Sequence, residues 1–535
     1  YQLKVLMENR LMNHSYGSIY LNGSLLHTVQ TLRIFRDSKT FVDMPCKHPP
    51  SEILKRFAAL SDGEKSDQSS IAKFVDENFE KEGSDIVPVV PSDYVPNALF
   101  LEKIAEEKYR KLGRFVHRIW PSLSRKTKNS QHIGSALQRS NTFIVPGGRF
   151  RESYYWDSYW IVRGLIVSGM TSTAKGVVEN LLDDIGRYGL VPNGGRIYYT
   201  QRSQPPFLSE MVSDICETMG NDEAKEFLTA SVDKLEKELE FWAKKRTVTI
   251  KGHKLSRYFC EGEKCLLRPE SYFEDFSLCG TDEKLMRQIV ATAESGWDFS
   301  SRWWDESGDE NIRNLKHSKT LETIPVDLNV ILYRYEKNLS HFFEIIESFE
   351  KAEKYRILAS ERAEAINELM KDETSGFWRD LILVAESERN DFLLGKIERS
   401  EHITPACFFP LWGGNAFYSD NAEREIDALE QSGLIGDFGI LTSLRETGEQ
   451  WDKPSNWPPL QQIIVAGLRS IGSRRSVQLA EKLAKSWLEG VHEAFQRTGY
   501  MHEKYNGMVK GGVGRGGEYE PQVGFGWTNG VTLEL

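Results

Sequence analysis

Residues 476–495 read SVQLAEKLAKSWLEGVHEAF. Apolar side chains stand at Leu479, Leu483, Trp487, Val491 and Phe495, and a spacing of four puts them on one face of a helix. The same period recurs outward along the chain. Residues 158–168 and 174–185, 208–219 and 223–245, and 327–348 and 352–370 read as helix pairs. Ser419 is the expected cap of a further helix through Ala422, Ile426 and Leu429, with Gly433 as its stop. Strand-like stretches are short: 139–145, 247–250 and 377–383. The class is all-α.

Helix pairs at this spacing suit an open solenoid or a closed ring. No self-similarity recurs at a fixed period, and long irregular segments interrupt the pairs. A closed toroid of paired helices around one pocket is the better fit, with function in the connecting loops. The Lys- and Glu-rich stretch 51–83 reads as a solvated helical surface segment, turn-like or mobile at Asp62, Gly63 and 66–70. No low-complexity linker divides the chain. One domain over 1–535 is expected, with 1–95 packing on it as an N-terminal segment.

At 535 residues the chain buries a large core. Its net charge of −10 disfavours nucleic acid as a partner. No apolar run approaches the roughly 18 residues of a membrane span. The chain starts at Tyr1, without Met, and reads as a mature or trimmed form; membrane association is expected only through a segment absent from it. The cysteines are Cys46, Cys216, Cys260, Cys265, Cys279 and Cys407. Cys260 and Cys265 are close enough for a small disulfide loop, and free thiols fit equally. Neither a CxxC pair nor HExxH occurs, so neither a structural zinc site nor a zincin-type metal site is expected. Asn13, Asn22 and Asn338 head glycosylation-type triplets, which with the even cysteine count leans toward an extracytoplasmic glycoprotein.

Four segments carry chemistry. Residues 146–157, PGGRFRESYYWD, set Arg149 and Arg151 beside Glu152, then Trp156 and Asp157 at a helix start. The plain structural reading is a loop salt bridge and a capping Asp. Residues 450–459, QWDKPSNWPP, hold Trp451, Asp452 and Trp457 on a proline-stiffened loop; a buried Trp cluster is the alternative. Flat rings with Arg, Asp and Asn suit a neutral polyhydroxyl ligand better than a phosphate. Residues 294–304, ESGWDFSSRWW, set Asp298 among aromatics, which bias a carboxyl toward its protonated form; a pair with Arg302, four residues on, competes. In 500–519, YMHEKYNGMVKGGVGRGGEY, Glu503 and Glu518 bracket a glycine run. Without a βαβ setting the run is no dinucleotide site; its glycines let backbone close over a ligand. A surface pair with a neighbouring Lys is the plain reading of Glu503.

These segments, with QRSQPP at 201–206 and GFGWTNGV at 524–531, resemble the trehalases, glycoside hydrolases that cleave α,α-trehalose. The resemblance runs in order from near Leu25 to Val531. It implies a single (α/α)6 barrel and an inverting mechanism without metal or cofactor. Residue by residue, it implies Asp298 as general acid and Glu503 as general base. It implies sugar contacts at Arg149, Trp156, Asp157, Asn193, Arg202, Ser203, Gln204, Arg268, Pro269, Glu270, Gly296 and Glu518, with Trp451, Asp452 and Trp457 lining the pocket. The sequence departs from the family at Arg515 inside the glycine run, at Asn506 and at Val523.

For inversion the two carboxyls stand roughly 6.5–9.5 Å apart, leaving room for a water. The arginines are expected to stay off Asp298, because an adjacent cation favours the ionised acid. Two alternatives are a related (α/α)6 glycosidase or phosphorylase acting on another disaccharide, and a non-catalytic trehalose-binding protein, which should have lost one carboxylate.

Overall fold

Two kinds of helix build the molecule, and their sequences say where each belongs. Helix Asp157–Val167 is apolar nearly all round and almost wholly buried. Helix Arg474–Thr498 buries one stripe through Leu479, Leu483, Trp487 and Val491 and turns charge to solvent. A helix apolar on every side belongs inside; an amphipathic one covers it.

The computed structural model describes residues 16–128, 134–260, 267–305, 314–384, 396–419 and 421–535. Counted from residue 107, with the short helix Tyr272–Cys279 left unnumbered, the described α-helices are α1 Glu107–Leu123, α2 Asp157–Val167, α3 Thr171–Tyr188, α4 Leu208–Cys216, α5 Asn221–Lys245, α6 Glu283–Ser295, α7 Val326–Ile345, α8 Phe349–Ala365, α9 Phe409–Gly413, α10 Glu423–Gln431, α11 Pro458–Ile471, α12 Arg474–Thr498 and α13 Gly526–Glu534. Among the described residues, α2, α4, α7, α9, α11 and α13 touch in that order, and α13 closes back on α2. The alternating helices α1, α3, α5, α8, α10 and α12 form the outer layer. This is an (α/α)6 barrel, with α6 inserted between α5 and α7. The tightest crossing is α2 on α13: a Cβ on Gly530 would stand 1.9 Å from the Trp160 carbonyl oxygen, so only glycine fits.

Connections from inner to outer helices are short. Those from outer to inner helices are long, lie at one end, and hold small antiparallel pairs. Ser455–Asn456 pairs with Tyr505–Asn506 and ties the loop before α11 to the loop before α13.

Several expectations change. Stretch 51–83 is not simply a solvated surface. Its helices Pro50–Ala58 and Gln68–Asn78 bury Ile53, Phe57, Ile71, Phe74 and Val75 in a second core, which reaches Tyr154, Tyr198 and Tyr199. Asp62 and Gly63 lie in a short helix that Ser61 and Glu64 cap reciprocally. Ser419 is not a cap: α10 starts at Glu423 behind a left-handed Ala422. Of 139–145 only Phe143–Ile144 is strand. Asn338 lies within α7 and donates to Ser209 Oγ (3.2 Å) and Glu210 Oε1 (2.7 Å), which leaves its amide poorly placed for a glycan. Asn22 is exposed. Asn13 and Cys265 lie outside the described residues.

Candidate active site

Five outer-to-inner connections converge on one cavity. Arg149, Trp156 and Asp157 come from α1–α2, Asn193, Arg202 and Gln204 from α3–α4, and Arg268, Glu270, Gly296 and Asp298 from the segments flanking α6. Trp451 and Trp457 come from α10–α11, Glu503 and Glu518 from α12–α13. Inner helices α2, α11 and α13 start at this end, so their positive termini face it.

Aromatic rings pave the floor. Trp451 and Trp457 stack 3.9 Å apart and nearly parallel, and Trp297 stacks on Trp451 at 5.2 Å. Trp156 and Trp527 complete the wall. Gly296, the left-handed stop of α6, has no freedom here: a Cβ would lie 2.7 Å from the Trp156 ring.

Asp298 follows that stop. Its side chain keeps 34 % exposure, toward the cavity, yet protein surrounds it on every other side. Burial pushes its carboxyl up to about 7; Arg268 opposes and Glu518 adds to the rise. The expectation that arginines keep clear of this acid needs correction. Arg268 Nη1 lies 3.7 Å from Asp298 Oδ2. Its guanidinium is engaged more closely by Asp275 at 2.6 Å and Glu518 at 2.9 Å, so desolvation of the acid wins. Nor does Asp298 pair with Arg302, which is gripped by Asp327 (2.7 Å) and Asp380 (2.8 Å).

Glu503 is buried and is not a surface partner of Lys504. Its Oε1 accepts from Tyr519 Oη at 2.7 Å, and Trp527 Nε1 donates to its backbone oxygen at 2.9 Å. Burial raises its carboxyl above the usual range, against the pull of the Lys504 charge, the Tyr519 and Gln522 hydrogen bonds and Arg149. Asp157 is raised further by burial, and the charges of Glu503 and Asp298 both bear on it.

The cations are held in fixed poses. Arg149 makes a two-pronged pair with Asp37, both contacts 2.8 Å, and lies over Tyr519. Arg202 donates to Asn193 Oδ1 at 2.7 Å and pairs with Glu270. Glu270 Oε2 is buried with no protein partner. Among the described residues no three His, Cys, Asp or Glu side chains gather as metal ligands.

A family model described as Trehalase matches residues 33–535. The trehalase of Homo sapiens is 39 % identical over 97 % of this chain and 89 % of its own length. That of Apis mellifera is 38 % identical over 97 % and 83 %. The chain belongs to the trehalase family. Among solved structures, the neutral trehalase of Saccharomyces cerevisiae aligns with TM-score 0.60 at 26 % identity, over 74 % of this chain and 72 % of that one. A mannosylglycerate hydrolase of Thermus thermophilus, at 18 % identity and TM-score 0.53 over 79 % and 99 %, shares the fold.

Within this trehalase-family chain, three expected contacts lie off the cavity. Ser203 turns inward, donating from Oγ to the Val191 carbonyl at 2.7 Å. Pro269 opens the short turn that presents Arg268 and Glu270. Asp452 is fully buried and accepts from Ser300 Oγ (3.0 Å), Ser301 N (2.9 Å), Ser301 Oγ (2.9 Å) and Thr447 Oγ1 (2.6 Å), which fixes the turn after Asp298. Tyr154, Tyr199, Gln450, Tyr519 and Trp527 line the cavity but were not picked out from sequence. Tyr154, Gln450, Tyr519 and Trp527 stand inside the quoted motifs and were within reach; Tyr199, outside them, carries no spacing signal. Of the departures, Arg515 is exposed, and Asn506 Oδ1 caps the Met508 amide at 2.9 Å. Val523 bridges His502 and is partly exposed.

Proposed function

We propose that this chain hydrolyses α,α-trehalose to two glucose molecules with inversion. The observation that carries the reading is a pair of carboxyls, Asp298 and Glu503, on different connections, facing one aromatic-lined cavity. Trehalose joins two anomeric carbons, so its bridging oxygen leaves well only when protonated. Asp298, held up to about 7, keeps the proton for that step. Glu503 deprotonates a water on the opposite face of the ring. Asn193, Arg202, Glu270 and Arg149 read hydroxyls, and the Trp rings cover apolar sugar faces. One glucose leaves as the β anomer and the other as α.

Purified protein should release glucose from trehalose but not from maltose or sucrose, without phosphate. Phosphate-dependent glucose 1-phosphate would instead mean a phosphorylase, and calorimetric binding without glucose a sugar-binding protein. Asp298→Asn and Glu503→Gln should each remain folded and lose on the order of 10²–10⁴-fold in rate; near-normal turnover by either would overturn its assignment.

The chain is read as one catalytic domain with residues up to 95 packed on the barrel. The Asp37–Arg149 pair supports this, as do the buried pairs Lys39–Glu152 at 2.8 Å and Arg196–Asp43 at 3.1 Å. No helix among the described residues is long and apolar enough to cross a membrane. An extracytoplasmic location rests on the exposed Asn22 triplet; a glycan at Asn22 after expression through a secretory route would support it.

A further inference from the structure

Lys504 is fully buried and follows Glu503 directly. Its ammonium donates to Gln450 Oε1 at 2.6 Å and to the Gly516 carbonyl at 3.2 Å, and it lies 4.9 Å from the centre of the Trp457 ring. Among the described ion pairs none involves Lys504. A buried cation held only by neutral groups is costly. Gln450 in turn donates through Nε2 to the Asp298 backbone carbonyl, and its own backbone carbonyl accepts from Trp457 Nε1 at 2.9 Å. Lys504 thus joins three pieces: the turn bearing Asp298, the segment bearing Glu503, and the glycine loop.

That loop is shaped around this contact. A Cβ on Gly514 would meet Lys504 Cγ at 2.5 Å, and one on Gly517 would meet Gln450 Oε1 at 2.6 Å. The same loop then delivers Glu518 to Arg268 and Tyr519 to Glu503. Gly514 and Gly517 are required by closeness to Lys504 and Gln450, not by mobility alone.

We propose that Lys504 is a positioning residue for the reaction assigned above. Its ammonium clamps the 514–519 loop over the cavity through the Gly516 carbonyl and supplies the positive charge that keeps Glu503 ionised. The inference rests on Glu503 being the base. The groups facing Glu503 are Lys504, Tyr519 Oη, the Gln522 amide and Arg149, with the charge of Asp157 across the cavity. Burial lowers the Lys504 ammonium below the usual lysine range, and the charges of Glu503 and Asp298 oppose that fall.

Two variants separate charge from clamp. Lys504→Met removes both. The acidic limb of the kcat/KM profile should move up by about one pH unit, and KM for trehalose should rise several-fold. Lys504→Gln removes the charge but keeps an amide donor for the Gly516 carbonyl. Its limb should move as far, with a smaller rise in KM. A limb that stays at the wild-type pH in either folded variant, whatever the loss in kcat, reduces Lys504 to a packing role and overturns the proposal. Titration of the Glu503 carboxyl by ¹³C NMR in labelled protein reads the same shift without turnover. An inactive wild-type protein would then count against the assigned reaction and not against Lys504.

Discussion

Asp298 sits between opposing influences, and their balance sets how the site should respond to pH. Burial raises its carboxyl to about 7 even with Arg268 alongside. Because the acid works only when protonated, kcat/KM should fall as pH rises through about 7. It should also fall on the acidic side as Glu503 takes up a proton, at a pH above that of an ordinary glutamate. A pH–rate profile checks both limbs. Linkage gives a second expectation. A carboxyl whose folded value is raised costs the folded state stability from the pH at which the unfolded chain ionises it, and the cost is complete above the raised value. Asp298→Asn should therefore melt higher than wild type above about pH 7, with the difference fading as pH falls toward the unfolded value. Equal melting temperatures at high pH would mean the carboxyl is not held up. Gly296 is the other residue under tight constraint. Gly296→Ala combines a positive φ of 75° with a clash on Trp156, and should cost about 1–3 kcal/mol by chemical denaturation and raise KM. The carboxylates and signature Trp residues were legible because they sit in long, ordered motifs. The pairing of Arg302 was not, since Asp327 and Asp380 approach it only in three dimensions.

At the scale of elements, periodicity found α2, α3, α4, α5, α7, α8, α10 and α12 to within a few residues, but it did not pick out α1, α6, α9, α11 or α13. The N-terminal helices were misjudged because their charge is conspicuous and their apolar residues few. Yet Phe57 and Phe74 meet edge to face at 5.7 Å inside a second core. Phe74→Ala should cost about 3–5 kcal/mol in unfolding free energy. That core supports the segment carrying Asp37, which holds Arg149. Asp37→Ala should raise KM for trehalose with little change in melting temperature, since Arg149 loses its fixed pose while the core is untouched. An unchanged KM would show that Tyr519 and Phe150 alone orient the guanidinium.

For the whole molecule, the closed ring explains why function gathers at one end. The inner helices start there, and the outer-to-inner connections are long enough to build walls and a cover. The sequence predicted a toroid from paired helices and irregular spacing, but not the order of contacts that closes it. Nor did it reveal α6 as an insertion, because α6 has the same periodicity as its neighbours. The most direct test of the account is proton NMR of the glucose formed from trehalose, read before mutarotation. Inversion with Asp298 as acid and Glu503 as base predicts equal amounts of α and β anomers from the wild-type enzyme. Release of the α anomer alone would contradict it.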